Sequence, residues 1–159
     1  MKKQEIHQIA KERFSNLIES IIAGIGAFIG LSLIGLIAQK ADTMMIIAPF
    51  GATAVLLFSA PNSPFSKSWN IFGGYFIATL LGSIILVYTN GGWLWIGTGL
   101  GVTIMLMHLT KTIHPPAGAN FLIVTQGHLT FYLLEPLFIG LIALIIIAIS
   151  IDKIKKMLL

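Results

Sequence analysis

Long stretches of this chain carry no charge, and that limits its fold more than any other feature. No charged side chain lies between Ser20 and Gln39, Lys67 alone interrupts Thr43 to Thr110, and Glu135 alone interrupts Thr112 to Ile151. Runs of about 20 mostly apolar residues have the length that crosses a bilayer as helix. Of the 159 residues, 56% are hydrophobic and 10% charged, whereas about a quarter are charged in a soluble domain. The reading is an all-α, polytopic, multi-pass membrane protein whose first partner is the lipid bilayer. With no cysteine, disulfides, thiolate metal sites and thiol catalysis are excluded.

Proline and glycine break this apolar sequence at two places. In His114-Pro115-Pro116-Ala117-Gly118-Ala119-Asn120 two successive residues lack a backbone donor. Each proline also clashes with the preceding turn, so a helix arriving from Trp93 is expected to end near Ile113. A new helix can start at Pro116, because proline suits the first helical position. Its first amides would then lack intrahelical partners and carry the positive end of the helix dipole. Inside a membrane such a start needs a hydrogen-bonding or negative partner.

Pro49-Phe50-Gly51-Ala52-Thr53 is the same device, 67 residues earlier than Pro116–Asn120. At that offset Gly30 also pairs with Gly97, Thr43 with Thr110 and Gly73 with Gly140. The chain therefore reads as two tandem three-segment repeats, about 17–83 and 84–150, with short proline-broken helices at 43–60 and 114–127.

Around the repeats, residues 1–16 form a polar segment with Ile6, Ile9, Ala10 and Phe14 at near-helical spacing. Such a segment fits an amphipathic helix on the headgroups, or equally a loosely ordered tail. Residues 17–152 make a single transmembrane domain, and 153–159 a basic tail. The first span, 17–39, offers Ala23, Gly26, Ala27 and Gly30 as a small-residue face. The loop 61–68 precedes a span at 69–88, and Asn90-Gly91-Gly92 turns into a segment at 93–113, with Trp69, Trp93 and Trp95 as interfacial anchors. Gly97, Gly99 and Gly101 suit close helix packing better than a phosphate loop, since no strand precedes them. Gly127 and His128 form a turn, and Glu135-Pro136 opens the last span, 136–151. His108 is expected in polar helix packing and His7 and His128 at the surface. Met44, Met45, Met105 and Met107 read as packing residues, and no metal or cofactor is expected.

The net charge of +4 comes mainly from Lys2, Lys3, Lys11 and Arg13 at one end and Lys153, Lys155 and Lys156 at the other. With an apolar body between them, these mark cytoplasmic termini and not a nucleic-acid surface. No cleavable signal peptide is expected. An even number of crossings follows. Six crossings make the repeats inverted; four spans with two re-entrant elements make them parallel. Lys67 and Lys111 fall on the cytoplasmic side in the six-crossing arrangement, so the inverted form is the expectation.

At both breaks the inventory suits a small anion: helix-start amides, Gly51 and Gly118 for close approach, Thr53 and Asn120 as neutral donors, and His114 as a donor or proton carrier. The candidate binding residues are Pro49, Gly51, Ala52, Thr53, His114, Pro115, Pro116, Gly118, Ala119 and Asn120. No carboxylate lies in either motif, although carbonyls at Ala48 and Ile113 leave room for a coupling cation.

The stretches Ala48–Phe58 and His114–Ala119, with Ser63-Pro64 and Asn70 to Gly74, resemble the HPP family of integral membrane proteins over roughly residues 17–150. The resemblance implies four membrane spans, and nitrite transport by analogy with members from photosynthetic lineages. The expected function is a non-enzymatic transporter or facilitator of a small monovalent anion, nitrite first, working as a homo-oligomer in a bacterial inner membrane. The alternatives are a haem- or metal-binding redox module using His108 and His114, and a structural or assembly subunit.

Overall fold

The computed structural model describes residues 3–40, 47–127 and 134–158. These form six α-helices: α1 (Lys3–Lys40), α2 (Ile47–Ser59), α3 (Ser68–Tyr88), α4 (Trp93–Leu109), α5 (Pro115–Thr125) and α6 (Leu134–Leu158), with a 3₁₀ turn at Pro64–Ser66. Among the described residues there is no strand. By length and composition α1, α3 and α6 can each cross a membrane, and α2 and α4 are shorter apolar helices. The exterior carries Phe28, Val55, Val87, Leu94 and Leu109 in the open. Lipid can cover such a surface, whereas in water it would be an aggregation liability.

The boundaries follow local chemistry, with three departures from the sequence reading. Residues 3–16 of the polar segment continue without a break into the first apolar span, because α1 runs from Lys3 to Lys40 and neither proline nor glycine interrupts it before Gly24. α2 passes through Pro49, which sits third in the helix; the first turn has amides without partners in any case, so a missing donor costs little there. No helix end at Ala48 is present, and residues 41–46, with Met44 and Met45, lie outside the described residues. α4 stops at Leu109, four residues short of Ile113. Lys111 takes the left-handed conformation at φ 57°, Thr112 N–H donates to Met107 O at 2.8 Å and Lys111 N–H to His108 O at 3.3 Å. That pair of bonds is a Schellman stop, so α4 ends before the prolines can end it.

Close contacts fix the helix directions. A Cβ built at Gly26 would lie 3.3 Å from Ile151, at Gly30 2.7 Å from Leu144, and at Gly140 3.2 Å from Ile34. α1 and α6 therefore run antiparallel along the expected small-residue face. Gly26 also meets Phe58 and Gly140 meets Phe50, so α2 runs against α1. The third contact series joins α3 and α5, and it is parallel. Gly74 packs on His114 and Ala117, Gly82 on Val124, and Gly127 lies beside Leu86. α5 thus rises along most of α3. The core between these helices centres on Phe50, Ile71, Tyr75, Phe121, Leu137, Leu141 and Leu144, all fully buried.

Candidate functional site

Gly74, Ala78 and Gly82 recur every fourth residue on α3, a small-residue stripe that lets a second helix approach backbone to backbone. A Cβ at Gly74 would stand 3.0 Å from the Thr112 carbonyl oxygen, and one at Gly82 3.2 Å from that of Phe121. Gly73 abuts the Thr112 side chain. The chain leaving α4 is tied to the same surface, with Asn70 Nδ2 donating to Ile113 O at 3.0 Å. The residue before α5, His114, is thereby pressed into the core with no exposed surface.

His114 meets α2 there. Its Nδ1 is 2.8 Å from Phe65 O, and its Nε2 is 2.9 Å from Thr53 Oγ1. Thr53 Oγ1 is also 2.9 Å from the Tyr75 hydroxyl and 3.1 Å from Pro49 O. A carbonyl only accepts, so Nδ1 carries the proton. In the neutral ring Nε2 must then accept, Thr53 donates to it, and Tyr75 donates to Thr53. Tyr75 flanks the imidazole at 5.5 Å between ring centroids and packs on Phe50 at 5.9 Å. The result is a buried, directional chain of hydrogen bonds, Tyr75 to Thr53 to His114 to Phe65 O, which joins four separate elements.

A second polar station lies farther along α3. Asn120 Nδ2 donates to Thr79 Oγ1 at 2.8 Å, with both side chains buried. Asn120 Oδ1 and, one turn beyond Thr79, Ser83 Oγ are buried without a hydrogen-bond partner among the described residues. Tyr75, Thr79 and Ser83 follow at four-residue spacing and so share one face of α3. Beside the break, an open apolar hollow of about 340 Å³ between α4 and α5 is bordered by Leu100, Ile104, Met107, Ile113 and Gly118, with His114 at its inner edge.

The structure brings the sequence-selected residues together only in part. Thr53 and His114 meet, with Pro49 supplying a carbonyl to Thr53. Pro116 and Asn120 are buried on the α3 side, whereas Ala52, Pro115 and Ala119 are exposed. Gly51 and Gly118 are not points of close packing. Nothing lies within 4 Å of a Cβ built at Gly51, and only Leu100, at 3.9 Å, near one at Gly118. The backbone cradle expected at the second break is largely spent. Pro115 and Pro116, the first two residues of α5, have no N–H, and the Ala117 N–H is bonded to His114 O at 2.9 Å.

The Ile113 carbonyl holds Asn70, and among the described residues no group of three or more His, Cys, Asp or Glu side chains converges as a metal site. His108 is exposed on α4 and His128 lies outside the described residues. Tyr75 and Thr79 escaped the sequence reading, which placed Asn70 only within the family resemblance. The signal that could have found them is polar residues on the small-residue face of α3.

Two proteins of Dictyostelium discoideum, both described as transmembrane proteins, are similar to this chain. One is 35% identical over 111 residues, 65% of this chain and 39% of the relative. The other is 30% identical over 146 residues, 83% of this chain and 47% of the relative. The chain thus spans less than half the length of either. No solved structure matches. The family model described as the HPP transmembrane region matches residues 12–157, from α1 to the end of α6 and across both breaks; the chain belongs to the HPP family of membrane proteins.

Proposed function

We propose that this protein is a membrane transporter or facilitator for a small monovalent anion, with nitrite the first candidate. The observation that carries the reading is the Tyr75–Thr53–His114 chain buried where the short helix α2 meets the start of α5. Polar and ionisable side chains are costly inside a membrane protein and concentrate on pathways for ions and substrates. The groups at hand are hydroxyls, an amide and an imidazole, which can donate to an anion, and no carboxylate stands among them to repel it. The donors are side chains rather than the helix-start amides, which makes Thr53, Tyr75, His114 and Asn120 the working set. The hollow between α4 and α5 has His114 among its lining residues.

Six crossings in two inverted repeats are the topology we favour. α2 and α5 begin 68 residues apart, and α3 and α6 begin 66 apart, both close to the offset in the sequence. Contacts are reciprocal as well: Gly73 on α3 meets Thr112 ahead of α5, and its counterpart Gly140 on α6 meets Phe50 of α2. Each copy's third helix leans on the other copy's second, as a two-fold axis in the membrane plane would require. Glu19 and Lys155 pair at 2.7 Å, which supports placing both basic ends on one side, the cytoplasmic one. A homo-oligomer in the inner membrane would shield the thin bundle from lipid.

The test is anion flux into vesicles containing the full chain, with nitrite, nitrate, formate, bicarbonate and chloride compared. Nitrite uptake above that of protein-free vesicles is expected, and it should vanish in His114→Ala and Asn120→Ala proteins that still purify as the wild type does. Flux no higher than in empty vesicles for every anion would refute the reading.

A further inference from the structure

With the Tyr75 hydroxyl donating to it, the hydroxyl of Thr53 has one proton and two remaining acceptors within reach, and this allows the buried cluster two complete hydrogen-bond arrangements. In the first, with His114 neutral, Thr53 donates to Nε2 at 2.9 Å. In the second, His114 carries an added proton on Nε2 and donates to Thr53 Oγ1. The Thr53 hydroxyl then rotates to Pro49 O, 3.1 Å away. Tyr75 donates to Thr53 in both, and Nδ1–H stays on Phe65 O at 2.8 Å. No donor faces a donor in either state, so the cluster accepts a proton without leaving a polar group unmatched. The backbone carbonyl of Pro49 is the second acceptor.

We propose that Pro49, Thr53 and His114 form a two-position proton switch, and that a proton and a small monovalent anion enter the cluster together as a neutral pair. The inference rests on the transport reading above and adds the coupling ion. A charged imidazolium in this core requires a negative partner. Among the described residues none of its neighbours supplies one. Tyr75 is the titratable group in ring contact; α2 and α5 contain none, His108 on α4 is exposed, and Lys67 and Lys111 on the adjoining turns are exposed cations. The anion is therefore the missing countercharge, and each ligand raises the affinity for the other by the reciprocity of linked sites. The atoms balance simply: one proton comes from water to Nε2, the Thr53 hydrogen changes acceptor, and no covalent bond between heavy atoms changes.

The experiment is nuclear magnetic resonance of full-length protein labelled with nitrogen-15 histidine in lipid nanodiscs, at one mildly acidic pH. His114 is assigned by its loss in His114→Gln. Adding nitrite, nitrate, formate or chloride in place of an impermeant organic anion should raise the Nε2-protonated fraction about tenfold for the transported anion, the usual scale of site coupling. Thr53→Val should abolish that response and Thr53→Ser should retain it. An Nε2 signal indifferent to all four anions, or a full response in Thr53→Val, overturns the switch. Flux measured on the same protein separates the two ideas. Flux without the response rejects the switch and leaves transport standing; the response without flux rejects transport and leaves a proton–anion binding site.

Discussion

A single methyl group at Gly74 tests whether the α3–α5 contact sets the geometry of the site. In Gly74→Ala the new Cβ would stand 2.9 Å from His114 Cβ, 3.0 Å from the Thr112 carbonyl oxygen and 3.4 Å from Ala117 Cβ. Ordinary contact begins at 3.4 Å, so the chain at His114 has to give way by about 0.5 Å, the difference between the two. Neither close neighbour is the free end of a flexible side chain; one is a Cβ and the other is backbone. Overpacking of this kind costs about 1–3 kcal/mol, which for a chain of this size lowers the melting temperature by about 2–12 °C.

A shift of that size can also stretch the 2.9 Å Thr53–His114 bond toward the roughly 3.6 Å at which it ceases to be one, so flux should fall with stability. The assay is the monodisperse fraction on size-exclusion chromatography after heating in detergent. Thiol dyes have no target in a chain without cysteine. Trp69, Trp93 and Trp95 are all exposed and report packing weakly. Gly97→Ala and Gly101→Ala are the controls, since nothing lies within 4 Å of a Cβ at either; both should hold or gain stability, by up to about 1 kcal/mol from helix propensity. If Gly74→Ala melts no lower than Gly97→Ala, the close seam between α3 and α5 is wrong.

Three further outcomes follow from single contacts. Lys111→Gly should stabilise the protein by about 1 kcal/mol and Lys111→Val should destabilise it, because the residue sits at φ 57° where a side chain is strained; the same heating assay reads both. Asn70→Ala removes the bond to Ile113 O and should cost about 0.5–1.5 kcal/mol, with a matching fall in the heating midpoint. Asn120→Leu deletes the unpartnered Oδ1 but also the buried bond from Nδ2 to Thr79 Oγ1, so the heating midpoint should fall by the equivalent of about 0.5–1.5 kcal/mol while vesicle flux is lost; retained flux would remove Asn120 from the working set.

Much of this molecule is legible in its amino-acid sequence. The charge-free runs dictate membrane helices, because a backbone in hydrocarbon must satisfy its own hydrogen bonds, and α1, α3 and α6 bear this out. The small face at Gly26 and Gly30 was readable for the same local reason, and both glycines do carry close contacts. Pro115 and Pro116 announced a helix start, and α5 begins there.

What the chain order could not reveal is which polar side chains meet. Thr53 and Asn120 close the two matching Pro-x-Gly-Ala motifs, yet one bonds His114 and Tyr75 while the other bonds Thr79. Tyr75 looks like any apolar-helix tyrosine until the α3 glycines draw α5 against it. Whether a helix-start amide is free likewise depends on tertiary context, and here prolines and His114 O leave little of that start exposed. Local sequence sets where the backbone breaks. Only packing decides which groups, 22 to 61 residues apart in the chain, lie within one hydrogen bond of each other, because that depends on how closely two helices can approach.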